Sequence, residues 1–124
     1  MTGISVNKKI YQILSGDTQL SGVTFYPIIA PEETKFPFLV YRRDEINPMY
    51  TKNIACGDNV LITITIVDAK YSTTVTHAER VRELLELRKD DYFREVVLTD
   101  SAEGWEDNGY FQRLKFKCTI LKEV

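Results

Sequence analysis

The sequence predicts an α+β domain: a mainly antiparallel sheet of about five strands with two helices packed on one face, in the order α-β-β-β-α-β-β. Three observations carry that prediction. Helical periodicity appears over residues 4–15 and again over 73–89, and residues 59–68 alternate strictly between two faces. The remaining strand-like runs follow one another without the βαβ alternation of a parallel sheet. At 124 residues, 44% hydrophobic and 27% charged, the chain has the size and balance of a single globular domain, residues 1–124, with an ordinary core.

Each element has its own signal. In the first helix Val6, Ile10, Ile13 and Leu14 share about 100° of arc. Lys8, Gln12 and Ser15 lie opposite, and Gly16 is placed to end the helix as a left-handed cap. Val23–Ile29 is β-branched and aromatic, but Pro27 lacks a ladder donor, which makes this an edge or terminal strand. Pro31-Glu32-Glu33-Thr34 reads as a loop, and Pro37 opens the strand Phe38–Arg43. Asn47-Pro48 breaks that pattern, and the stretch from Asn47 to Gly57 shows no periodicity. In Asn59–Asp68, Val60, Ile62, Ile64 and Ile66 point to the core, while Leu61, Thr63, Thr65 and Val67 point to a second, partly covered face.

Ser72 to Thr76 offers several N-caps for the second helix, including a capping-box spacing at Thr76–Glu79. Ala78, Val81, Leu84 and Leu85 form its apolar stripe, with Glu79, Glu83 and Glu86 outside. Phe93–Thr99 and Tyr110–Leu121 read as two strands joined by an acidic turn from Asp100 to Gly109. In the last strand Leu114, Phe116, Cys118 and Ile120 face the core and alternate with Arg113, Lys115, Lys117 and Thr119.

Composition excludes several function classes. Sixteen Lys and Arg against 18 Asp and Glu leave a net charge of −2, without the basic excess of a nucleic-acid reader. The row Arg113, Lys115, Lys117 with Arg42-Arg43 has the alternation of a solvated or edge strand. No apolar run reaches the roughly 20 residues of a membrane span, and the N-terminus lacks the pattern of a signal peptide. Cys56 and Cys118 belong to no CxxC or Cys/His cluster, which points to a reduced, cytosolic chain.

Candidate chemistry is sparse. His77 is the single histidine and falls at the margin of a helical stripe, as a partly exposed helix residue would; a hydrolase would have to use it with Asp or Ser. The acidic pairs Glu32-Glu33, Asp44-Glu45, Asp90-Asp91 and Glu106-Asp107 sit in apparent turns, as solvated carboxylates do, whereas acid–base pairs need unlike environments. The six glycines are scattered singly, with no phosphate loop. No catalytic, cofactor-binding or metal-binding residues are expected.

Two features call for more than a bland domain. Leu39, Tyr41, Leu61, Val67, Phe111 and Leu121 cannot all share the core face with the isoleucines. The second face therefore carries an interaction patch of about several hundred Å² or is covered by loops. The stretch Asn47–Gly57, with Met49, Tyr50, Lys52 and Ile54, is either an arm that docks on a neighbouring subunit or surface disorder.

The helix Val6–Leu14, Phe25-Tyr26-Pro27, Ala30-Pro31-Glu32 and Phe36-Pro37-Phe38-Leu39-Val40-Tyr41 come in an order that resembles the tail completion, or tail terminator, family of long-tailed bacteriophages and prophages. The alternating strand Val60–Val67 and the leucine-ended helix Ala78–Leu87 continue the resemblance, which in element order spans roughly the whole chain; the motif-like residues lie within 6–41. The segment 100–109, with Trp105 among Glu103, Glu106 and Asp107, is more acidic than the polar segment usual in the family.

The resemblance implies a non-enzymatic homo-oligomeric ring, typically a hexamer. It would end the tail tube at its head-proximal side, meet the tail tube protein and the head connector, and pass DNA non-specifically through its lumen. Such a protein is found in the virion tail and, during assembly, in the host bacterial cytoplasm, with no cofactor, metal or membrane. On this reading the inter-subunit surface combines the second sheet face and the 47–57 arm, with Leu39, Tyr41, Met49, Tyr50, Leu61 and Phe111 as contacts. The alternative is a small dimeric ligand-binding or regulatory domain that uses the open sheet face, with Tyr41, Thr63, Thr65 and Arg113 as polar groups.

Overall fold

The computed structural model describes residues 2–52 and 54–121. A 3-10 turn at Gly3–Ser5 leads into helix α1 (Val6–Ser15), followed by strands β1 (Thr24–Pro27), β2 (Phe38–Thr51) and β3 (Ile54–Asp68). Helix α2 (Tyr71–Leu85) precedes the hairpin of β4 (Glu95–Glu106) and β5 (Gly109–Leu121). The fold is the α+β arrangement that the sequence predicts, in the same element order. The sheet runs β1-β2-β3-β5-β4, with β1 parallel to β2 and the other neighbours antiparallel.

Register decides which side chains meet the helices. Ile62, Ile64 and Ile66 of β3 pair with Phe116, Leu114 and Gln112 of β5 on one side, and with Arg43, Tyr41 and Leu39 of β2 on the other. Val60, Ile62, Ile64, Ile66, Leu114, Phe116, Cys118 and Ile120 pack with Val6, Ile10 and Leu14 of α1 and with Ala78, Val81 and Leu85 of α2. Burying each of the large aliphatic chains contributes about 1.5–3 kcal/mol, which is what fixes the helices to this face. Leu39 and Tyr41 belong to the same cluster, at 0% and 7% exposure. The expectation that they face a neighbouring subunit is therefore corrected: they pair with Ile66 and Ile64, which puts them under the helices.

Four local expectations also change. The stretch 47–57 is not irregular over residues 47–51 and 54–57, where β2 and β3 pair as an extended hairpin. Pro48 is accommodated because β1 pairs only with Phe38–Tyr41, so β2 is an edge strand beyond that point. The acidic segment 100–109 is mostly strand, and the hairpin turns on Asp107 and Asn108 alone, both at positive φ as a two-residue primed turn requires.

Gly16 keeps a right-handed conformation, φ −82°, because the chain goes on turning into a 3-10 segment at Thr18–Leu20. Helix α2 begins at Tyr71 without a side-chain cap; the Thr74 and Thr76 hydroxyls donate back to the Tyr71 and Ser72 carbonyls. It ends at Leu85, before residue 89, because Glu86 is extended and the Leu87 N–H donates to the Val96 carbonyl of β4.

Helix α2 is also joined by charge to the turn that follows α1. Arg80 of α2 donates from Nη2 and Nε to the two carboxylate oxygens of Asp17, at 2.6 and 3.0 Å. The paired guanidinium holds the Asp17 carboxyl below its usual value of 3.8. A depressed carboxyl stabilises the fold at neutral pH and loses that contribution as pH falls through its folded-state value. Two outcomes follow. Asp17→Asn should lower the Tm at pH 7, and the gap from the parent should close well below pH 3.8 in thermal melts followed by circular dichroism. Leu39→Ala should cost about 2–5 kcal/mol in urea unfolding, against well under half of that for Leu61→Ala on the opposite face, if the register given above is right.

Candidate functional site

The face of the sheet away from the helices is where the fold leaves apolar surface. Rows of paired residues cross it: Phe38, Val67 and Phe111; then Val40, Thr65 and Arg113; then Arg42, Thr63 and Lys115; then Leu61 with Lys117 and Val97. Different means cover different rows. The crossover between the parallel strands, residues 28–37, folds over the first row, and its Phe36 stacks on Phe38 with ring centroids 5.9 Å apart. Loops thus cover one end of this face, and the rows of Arg42 and Leu61 lie beyond them.

Two glycines let aromatic rings lie flat there. A Cβ at Gly109 would stand 2.9 Å from both Phe36 Cε1 and Val67 Cγ1, and one at Gly104 would stand 2.8 Å from Phe111 Cζ. Arg113 then lies over the Phe111 ring, 4.8 Å from its centroid. In the next row Arg42 Nε donates to Asp44 Oδ1 at 2.7 Å, and Thr63 Oγ1 donates to Asp44 Oδ2. Asp44 reaches both partners because the register of β2 shifts by one residue between Arg43 and Glu45.

The crossover and the sheet together enclose a groove of about 730 Å³. Its floor includes Phe38, Val40, Val67 and Phe111, with Thr63, Thr65 and Arg113 as polar members; Tyr41, on the other face, is not among them. Glu32, Glu33, Glu106 and Asp107 line the same groove, and all four are exposed.

At the opposite end of the sheet the β2–β3 hairpin forms an arm. Tyr50 and Ile54 stand on it at 66% and 65% exposure, Met49 is half-buried, and Leu121 of β5 is exposed beside its base. Of the six interface residues expected from the sequence, the structure brings Leu61 and Phe111 to the open face and puts Met49 and Tyr50 on the arm. Leu39 and Tyr41 go to the core. Sequence reasoning missed the crossover residue Phe36 as a member of this face; the glycines opposite aromatic positions are the signal that marks it.

The chemistry-bearing residues are scattered. His77 is half-buried on α2, and its Nδ1 has no hydrogen-bond partner among the described residues. Among those residues no group of three or more His, Cys, Asp or Glu is placed to hold a metal ion, and no helix is long and apolar enough to cross a membrane. Glu103 is held below the usual carboxylate range by hydrogen bonds from Gln112 and Tyr71, at 2.9 and 2.7 Å, which tie β4 and β5 to the start of α2. Burial pushes the Cys118 thiol up to about 12, whereas Cys56 is half-buried on the arm and donates to the Met49 carbonyl at 3.3 Å.

Comparison with known proteins yields a likeness of fold. No protein-family model matches the chain, and no curated protein matches it. Among solved structures, a chain from the virion of a native gene transfer agent (GTA) particle superposes with a TM-score of 0.72 at 13% identity, covering 91% of this chain and 92% of that one. The two chains share one fold along nearly their whole lengths.

The contrast between the thiols gives a direct check on this end of the molecule. A bulky thiol reagent should modify Cys56 in the native protein and reach Cys118 only after denaturation, as read by mass spectrometry of the labelled peptides. Rapid native labelling of Cys118 would contradict the core described above.

Proposed function

We propose that this chain is a structural protein of a bacteriophage or prophage virion, of the tail completion type. In this reading it assembles as a ring, a hexamer in the form that the resemblance implies. The ring closes the head-proximal end of the tail tube and joins it to the head connector, with DNA passing through the lumen unread. The observation that carries the proposal is the superposition on a GTA virion chain across nine-tenths of both chains. It comes together with the order of motif-like residues over 6–41. The physical features agree: an open sheet face with apolar rows, and an arm that presents Tyr50 and Ile54 to solvent.

Assembly on this scheme is heterologous, one surface of a copy meeting a different surface of the next and closing by rotation. Met49 and Tyr50 on the arm, with Leu61 and Phe111 on the open face, are the proposed contacts. Aromatic and flexible apolar side chains dominate such interfaces. A net charge of −2 suits a lumen through which DNA slides, since phosphate binding strengthens with each cation contacted. Partners are the tail tube protein and the connector; the place of action is the virion tail, reached from the host cytoplasm.

A second reading has one observation in its favour. The groove of about 730 Å³, with Thr63, Thr65 and Arg113 among its lining, has the size and polarity of a small-molecule site in a dimeric binding domain. One measurement separates the two. Native mass spectrometry and negative-stain microscopy of the purified protein, with and without its tail tube protein, should give closed rings for the parent. Tyr50→Ala should weaken assembly by about 30-fold or more with an unchanged circular dichroism spectrum, as for a hot-spot aromatic. A tight dimer that binds small molecules would support the second reading; a particle that stays single at every concentration, with tail tube present, would overturn the first.

A further inference from the structure

We infer that the arm of one copy docks in the groove of the next, with Lys52 set against the groove's acidic rim. The inference rests on the ring proposed above and specifies which two surfaces meet. Four features of the structure lead to it.

The first is chemical fit. The arm from Asn47 to Gly57 contains no acidic residue and a single cation, Lys52, which lies at its tip and forms no ion pair among the described residues. Its exposed apolar chains are Tyr50 and Ile54. The groove presents the converse: an aromatic and aliphatic floor at Phe38, Val67 and Phe111, bordered by Glu32, Glu33, Glu106 and Asp107.

The second is charge. Of the two arginines in the groove, Arg42 is paired with Asp44 and Arg113 lies on Phe111, so the four carboxylates outnumber the cations. A cationic, apolar segment is the occupant that this lining favours.

The third is distance. Gly57 at the base of the arm and Val67 in the groove lie on the same strand, β3, ten residues apart by number. At about 3.3 Å per residue the two are separated by roughly 33 Å, so a copy cannot fill its own groove. An arm that fills this groove therefore comes from a second copy.

The fourth is polarity. Arm and groove are different surfaces at opposite ends of the sheet, so in the head-to-tail scheme proposed above an open chain leaves one of each unsatisfied at its ends.

Charge reversal tests the pairing. The proteins to compare are the parent, Lys52→Glu, Glu32→Lys/Glu33→Lys, and the triple variant that combines these changes, by sedimentation velocity and native mass spectrometry at low and moderate salt. All the altered positions are exposed, and thermal melts matching the parent establish that each variant is folded. Lys52→Glu should weaken association about tenfold, and Glu32→Lys/Glu33→Lys should do the same by like-charge contact. The triple variant should regain most of the loss, and the effect should shrink as salt rises. Assembly of Lys52→Glu at parental strength, or no recovery in the triple variant, overturns the docking while leaving the ring in place. A parent that never assembles, tail tube protein included, overturns the ring and the docking together.

Discussion

The structure is governed by a shortage of cover. Two helices, of 10 and 15 residues, lie on a five-stranded sheet whose longest strand has 15, and they can shield one face of it. Strand β3 puts Val60, Ile62, Ile64 and Ile66 under them, and every neighbouring strand takes its phase from those four residues. The opposite face is then covered piecemeal. Aromatic stacking from the crossover shields the row of Val67, and the Arg42–Asp44–Thr63 network occupies the middle. Beyond that, Lys117 stands between Leu61 and Val97 in one row. Thr63 shows how the compromise works. It is buried on the nominally open face, and its hydroxyl is satisfied by Asp44, which the β2 bulge turns toward it.

The arm follows from the same mismatch. Strands β2 and β3 extend past the part of the sheet that the helices cover, and a two-stranded ribbon has few ways to bury its side chains alone. Within it, the Cys56 thiol donates to the Met49 carbonyl, and the Thr51 hydroxyl approaches the Cys56 sulfur. Those contacts hold the two strands together but cover neither Tyr50 nor Ile54. The exposed apolar chains are thus a consequence of strand length. Only another surface can shield them.

What the sequence makes legible is whatever depends on one strand or helix at a time. The alternation of β3 and β5, the stripe of α1 and the edge position of β1 are all local, and the structure has them. Leu39 and Tyr41 were illegible for a reason that can be named. Phe38-Leu39-Val40-Tyr41 is apolar at every position, so no alternation within it says which residues face the helices. Pairing with β3 decides the phase, and register is a tertiary fact. The segments 47–57 and 100–109 mislead in the opposite direction. Their proline, glycine, asparagine and acidic residues have turn composition, yet residues 47–51, 54–57 and 100–106 lie in strands with a free outer edge, where such residues are tolerated. Composition reported their exposure correctly and their conformation wrongly. The groove was legible only as a surplus of apolar residues, because its wall, the 28–37 crossover, becomes a wall only once β1 lies parallel to β2.

That parallel pairing has a consequence for assembly. A hairpin between β1 and β2 would have kept the connection at the end of the sheet; a parallel step obliges residues 28–37 to return along its length, here over the open face. The return covers the face at the end remote from the arm and creates a concave, acid-rimmed surface there, while the arm keeps its apolar chains at the other end. A two-fold pair would satisfy both only if each arm reached the other copy's groove at the same time, whereas a head-to-tail series needs a single arm-in-groove contact per copy. In the proposed arrangement each added copy covers one arm and leaves another bare, so the series is complete only when the last groove receives the first arm. In that proposal the angle at which arm and groove meet decides whether the series closes into a ring and, where it closes, sets the copy number.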